Sequence, residues 1–202
     1  MPSSLPSRDQ ELVQIVDAAL ADAARRSGDW LVCKLGCTQC CVGVFAINAL
    51  DALRLKQGLA ELERSDPERT ARIRARALES IARIGSAFPG DLTTGILDET
   101  EEAAARFEDF ANDEPCPALD PATGGCDLYA ARPMTCRVFG PPVPSEDGLG
   151  VCELCYDGAS EEVVAACEMQ SAEADSLEAE LLAGIEPSKR QSRTIVAFVL
   201  TT

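Results

Sequence analysis

Ten cysteines and no histidine stand among the 202 residues of this chain. The cysteines fall in three groups: Cys33, Cys37, Cys40 and Cys41; Cys116, Cys126 and Cys136; and Cys152 and Cys155 with Cys167 beyond. A deprotonated cysteine is a metal ligand and a nucleophile. Two residues between cysteines in a tight turn let both sulfurs point into one hollow. A metal bond then closes a small ring at low entropic cost, and distant ligands complete four-coordination. Cys37–Cys40 and Cys152–Cys155 both have that spacing. The implied chemistry is thiolate ligation of zinc or of an iron–sulfur centre such as [4Fe–4S]. The lack of histidine excludes Cys-His and Ser-His catalysis, HExxH zinc sites and mixed Cys/His fingers.

Cys40 and Cys41 are adjacent, so their side chains diverge on either regular backbone. One of them ligates, while the other packs, serves a second metal or stays a thiol. Cys152, Cys155 and Cys167 form a candidate second metal or redox site.

The segment Cys33-Lys34-Leu35-Gly36-Cys37-Thr38-Gln39-Cys40-Cys41 resembles the opening motif of the YkgJ-type cysteine-cluster family, whose signature is CxxCxxCC. Three further elements follow in that family's order. Cys116-Pro117-Ala118-Leu119 resembles its Cys-Pro-x-Leu element, and Gly125-Cys126-Asp127-Leu128-Tyr129 its Gly-x-Cys-x-Ile-Tyr element. Arg132-Pro133-Met134-Thr135-Cys136-Arg137-Val138-Phe139 resembles its Arg-Pro-x-x-Cys-Arg-x-aromatic element. The match spans roughly residues 33–139 and departs from the family in having three residues, not two, between Cys33 and Cys37. The resemblance implies chelation of zinc or iron, with Cys33, Cys37, Cys40, Cys41, Cys116, Cys126 and Cys136 as the ligand set. Some relatives are labelled iron–sulfur oxidoreductases, and flagellin lysine methylases carry a similar domain.

Four thiolates around a zinc ion or a [4Fe–4S] core leave net negative charge. Arg132 and Arg137 are placed to offset it and to donate to sulfur, whereas Lys34 reads as a surface cation. Tyr129 and Phe139 read as a solvent shield for the site or as core.

The elements that position these residues read as helices. Residues 9–26 have helical apolar spacing, with Asp9 as N-cap and Gly28 as stop. Val42–Ile47 is β-prone, and Asn48 caps a helix through Leu50, Leu53, Leu55 and Leu59. A further helix runs from Pro67, capped by Ser65 or Asp66, to about Ala87, and the stretch Asp98–Glu114 has helical spacing. Pro115–Pro144 reads as loop. An acidic helix spans about Ser160–Ala183, and Thr194–Leu200 is a strand or a last helical turn. The fold class is therefore mainly α: a small helical domain with a loop-rich, cysteine-ligated metal centre and little strand. The expected domains are an N-terminal helix (1–30), a cysteine-cluster domain (31–158) with a helical insert at about 48–112, and an acidic helix and tail (159–202).

With 34 Asp and Glu against 18 Lys and Arg, the chain repels phosphate backbones, which disfavours a nucleic-acid partner. The basic residues Arg69, Arg72, Arg74, Arg76 and Arg83 lie beside the acidic stretch 98–114, so internal pairing is the simplest reading, with an acidic protein partner as the alternative. No apolar run is long enough to span a bilayer. The start of the chain has no signal-peptide pattern, so the expected compartment is the cytoplasm, where patterned cysteines bind metal more often than they form disulfides. No residue pair is singled out as catalytic. The expected role is metal binding. An iron–sulfur oxidoreductase or electron-transfer partner and a thiol-based redox sensor are the alternatives.

Overall fold

The structure, a computed structural model, describes residues 4–34, 36–145, 148–186, 190 and 192–201. Among the described residues helices dominate, and the strands form only two-stranded antiparallel pairs. The chain divides into two compact units, each assembled from segments far apart in sequence.

The first unit is built mainly from Gly36–Pro133 and Ile185–Thr202. Its helices are α2 (Ala49–Ser65), α3 (Pro67–Ile84), α4 (Glu101–Glu108) and α8 (Val196–Leu200). Asn48 caps α2 by accepting from Asp51 N at 3.0 Å, and Asp66 caps α3 by accepting from Arg69 N at 2.9 Å. Both bonds satisfy amides that a helix start leaves unpaired. α2, α3 and α8 pack together around Leu55, Leu59, Ile73, Ala77, Val199 and Leu200. A second apolar group under α8 stacks Phe88 on Phe110 and Phe198, with ring centroids 5.9 and 4.8 Å apart. The tail 194–200 takes both of its expected forms. Thr194–Ile195 (β8) pairs antiparallel with Ala46–Ile47 (β1), and α8 follows at once.

The second unit is built from Leu5–Leu35 and Met134–Gly184. α1 (Asp9–Ser27) packs its buried residues Leu12, Val16 and Ala23 toward α5 (Met134–Val138) and α7 (Ala172–Ala183). Arg8, not Asp9, holds the N-cap position, and Asp9 N donates to Pro6 O at 3.0 Å. The acidic helix expected over Ser160–Ala183 is interrupted. α6 is Glu161–Ala166 and α7 starts at Ala172. Between them the chain drops inward, where Met169 is fully buried and its N–H donates to Pro142 O at 2.8 Å. Burial of one apolar side chain and a hydrogen bond outside the helix outweigh the local Ala/Glu propensity.

Candidate metal centre

In the first unit, three separate segments bring thiols together. Gln39–Cys41 is a single 3-10 turn closed by Cys41 N donating to Thr38 O at 2.8 Å. It runs on into Val42, which bridges antiparallel to Pro115, while Cys116 N donates to Cys41 O at 2.8 Å. Leu119–Asp120 (β4) and Gly125–Cys126 (β5) then form a hairpin. Asp120 shapes its turn by accepting from Ala122 N at 3.1 Å and from Thr123 Oγ1 at 2.8 Å. Gly124 supplies the left-handed residue at φ +68°, and a Cβ there would press on Gly36. The hairpin thus lies against the loop that holds Cys37. Both Cys116 and Cys126 pack on the α2–α3 core.

The four thiols Cys40, Cys41, Cys116 and Cys126 feel one another electrostatically. The Cys41 thiol donates to Cys40, which lowers Cys40 and raises Cys41 from their ordinary values. The positive charge of Arg132 further favours the Cys40 thiolate. Burial pushes Cys116 up to about 12. Burial also raises Cys126, against the opposing pull of Arg132. The Arg132 guanidinium lies 3.9 Å from the centre of the Tyr129 ring, and its Nη1 donates to Tyr129 O at 3.1 Å. This combines a cation–π contact with a cation beside sulfur.

The basic face of α3 braces the same loops. Arg69 Nε and Arg76 Nη2 each donate to one oxygen of the Asp127 carboxylate at 2.5 Å, and Arg76 Nε donates to Pro117 O at 2.8 Å. The Asp127 side chain is only 3% exposed. Pro117 follows Cys116 and Asp127 follows Cys126, so two arginines tie both ligand-bearing segments to one helix. Arg69, Arg74, Arg76 and Arg83 pair internally, mostly with partners other than the acidic stretch. Among the described residues, Glu114, bound by Arg83 at 2.6 Å, is the partner that comes from it, and Arg74 pairs with Glu63 at 2.6 Å. The Arg69–Asp127–Arg76 clamp was missed from sequence. Its one signal was the aspartate after Cys126 opposite three arginines spaced along one helix face.

The other predicted residues lie as follows. Cys37 is partly buried on the loop beside the hairpin. Cys33 and Cys136 belong to the second unit, as do Cys152, Cys155 and Cys167. Arg137 is buried and its Nη1 donates to both Asp17 oxygens at 2.9 and 3.0 Å. Tyr129 and Phe139 are 64% and 43% exposed, so neither is core. Lys34 is exposed, as expected. Among the described residues, no three His, Cys, Asp or Glu side chains are gathered to the spacing a bound ion requires. What fits a thiophilic metal is the donor chemistry: sulfurs from three segments sharing one neighbourhood, with a cation beside them and no competing imidazole.

The CxxCxxCC family, described as a "Putative zinc- or iron-chelating domain", matches residues 32–155. The chain belongs to this family. The match takes in every cysteine but Cys167. No curated protein and no solved structure matches the chain. No helix among the described residues is long and apolar enough to cross a membrane.

Proposed function

We propose that the protein is a metal-binding module whose first unit holds zinc or a [4Fe–4S] cluster through Cys40 or Cys41 together with Cys37, Cys116 and Cys126. The observation that carries this reading is the convergence of Cys40, Cys41, Cys116 and Cys126 from three segments onto one mutually interacting group. The metal would supply either a closed structural cross-link or, as a cluster, a one-electron centre. The chain's own residues do the rest. Arg132 offsets thiolate charge at Cys40 and Cys126, the α3 arginines hold the two loops in register, and the α2–α3 core backs Cys116 and Cys126. All-thiolate ligation without histidine is the rule for iron–sulfur clusters and one option among several for zinc, which favours the cluster.

The test is anaerobic purification with a visible spectrum and elemental analysis on one sample. Metal in the wild type, and its loss in Cys116→Ser and Cys126→Ser, is the expected result. Both variants keeping all their metal would overturn the proposal. A visible absorption bleached reversibly by dithionite marks a redox-active cluster, whereas a colourless protein holding only zinc removes the oxidoreductase reading.

A further inference from the structure

Five large apolar side chains of the second unit stay open to solvent: Trp30, Val32, Phe139, Val151 and Leu154, each between 39 and 48% exposed. Scattered singly, such residues are ordinary. These five are not scattered, because each is next in sequence to Leu31 or to a residue packed near it. Trp30 and Val32 flank Leu31. Val151 and Leu154 precede Cys152 and Cys155, whose buried cluster with Tyr156 has Leu31 packed against it. Phe139 precedes Gly140, where an added Cβ would stand 3.2 Å from Leu31 Cδ1. Tyr156 N donates to Trp30 O at 3.1 Å and so ties the segment around Leu31 to the one around Leu154. Leu31 is the inward pin of an apolar patch drawn from three stretches of chain.

The rim of this patch is acidic. Asp29 adjoins Trp30, Glu153 adjoins Leu154 and Asp157 follows Tyr156, and all three are exposed. Against them stands the exposed Lys34. Arginines nearby in sequence are engaged elsewhere. Arg25 and Arg26 pair with Asp22, Arg26 also donates to Ala166 O and Glu168 O, and Arg137 pairs with Asp17. Charge then decides what can cover the patch. A second copy, itself at −16, would set the same acidic rim against this one, with like charges opposed. An anionic membrane surface is repelled in the same way. The complement of an apolar centre with an acidic rim is an apolar stripe flanked by lysine and arginine.

We infer that the face around Leu31 is a docking surface for a basic, amphipathic segment of a partner protein. Apolar side chains of that segment cover the five open residues, and its cations meet Asp29, Glu153 and Asp157. Trp30 is the natural anchor, since tryptophan combines large contact area with few rotatable bonds and is enriched where binding energy concentrates. The acidic rim speeds encounter with a cationic partner and makes the rate fall with salt. The surface lies in the second unit, so it stands or falls separately from the thiolate site proposed for the first.

Trp30 is the sole tryptophan of the chain, so its fluorescence reads occupancy of the patch directly. The probe is a synthetic amphipathic helical peptide of leucine and lysine, titrated into the full chain. Saturable binding with a blue shift of the Trp30 emission is expected. Val32→Ser/Leu154→Ser keeps the net charge and should weaken binding about tenfold, the scale for loss of apolar contacts at the centre of an interface. Asp29→Asn/Asp157→Asn should weaken it less and flatten its dependence on salt. Equal binding by the parent and Val32→Ser/Leu154→Ser would reduce the attraction to diffuse negative charge and overturn the inference. Should those variants not fold, a peptide of lysine and serine makes the same cut on the parent chain, and binding equal to that of the leucine peptide overturns it. A blue shift with phosphatidylglycerol vesicles and none with the peptide would give the face to a membrane. A concentration-dependent dimer in sedimentation, with Trp30 covered, would give it to a second copy, and either result overturns the partner reading.

Discussion

The two units each gather cysteines from separate segments, and they hold them by opposite physical means. In the first, the cysteine loops are partly buried and braced by charge: Arg69 and Arg76 on Asp127, Arg76 on Pro117 O, and Arg132 beside Cys40 and Cys126. In the second, Cys152, Cys155 and Cys167 are sealed under apolar side chains beside Tyr156, whose hydroxyl meets Ser27 Oγ. A thiolate is stabilised by nearby cations and destabilised by desolvation. In the first group Cys40 alone is favoured as a thiolate, helped by the Cys41 thiol and by Arg132, while burial holds Cys116 and Cys126 as thiols. Ion pairs near the surface also weaken with salt, whereas apolar packing does not. The contrast is one of support: loops held by charged groups against thiols held in a closed, apolar cluster.

The sharpest way to break this comparison is to remove the charge at the centre of the clamp. Asp127→Asn leaves Arg69 and Arg76 facing a neutral amide around a nearly buried position, with an expected loss of about 3 kcal/mol, the low end for breaking a buried pair because both arginines keep some solvent. Hydrogen exchange read by mass spectrometry should then speed up in the 116–127 segment and stay the same around Tyr156. Equal change in both places would mean that the two cysteine groups are not independently supported.

The complementary change is Ser27→Ala. It removes the acceptor of the Tyr156 hydroxyl, for an expected loss of about 1 kcal/mol, the size of one neutral hydrogen bond. Thermal melts should register the loss, while alkylation rates at Cys40 and Cys126 remain those of the parent chain. A slower reaction at Cys40 would show that the first neighbourhood draws on more than its own arginines.

Much of this was open to sequence reading, and the exceptions have a common cause. Asn48 and Asp66 as caps, Gly28 as a stop and the helices they bound follow from local rules, and local rules suffice because each cap satisfies amides of its own helix. The family's cysteine elements were visible for the same reason, as short strings with fixed spacing. What stayed hidden depends on partners far along the chain. The break at Cys167–Ser171 exists because Met169 is buried and its amide finds Pro142, and nothing within the acidic run announces it. Core packing was one reading of Tyr129 and Phe139, because aromatics usually bury, yet both stay open to solvent. Asp127 looked like one acid among many until the fold set it between Arg69 and Arg76. Tyr156 and Ser27, 129 positions apart, show no relation in the sequence at all.

The smallest expected effect bears on the basic helix itself. Arg69, Arg72 and Arg76 share a face of α3, so composition alone treats them alike, either as a patch for an acidic partner or as internal braces. The structure separates them: Arg76 bonds Asp127 and Pro117 O, while Arg72 is exposed. If the face is a brace, Arg72→Ala should leave stability within about 0.5 kcal/mol of the parent, as for surface changes in general. Arg76→Ala should cost about 2 kcal/mol through the charged hydrogen bonds it removes. If the face is instead a docking patch, the ranking by function inverts, because the exposed Arg72 would be the residue a partner reaches first. Urea melts of the two variants side by side decide between them, and equal losses would mean that the clamp at Asp127 contributes nothing beyond a solvated charge.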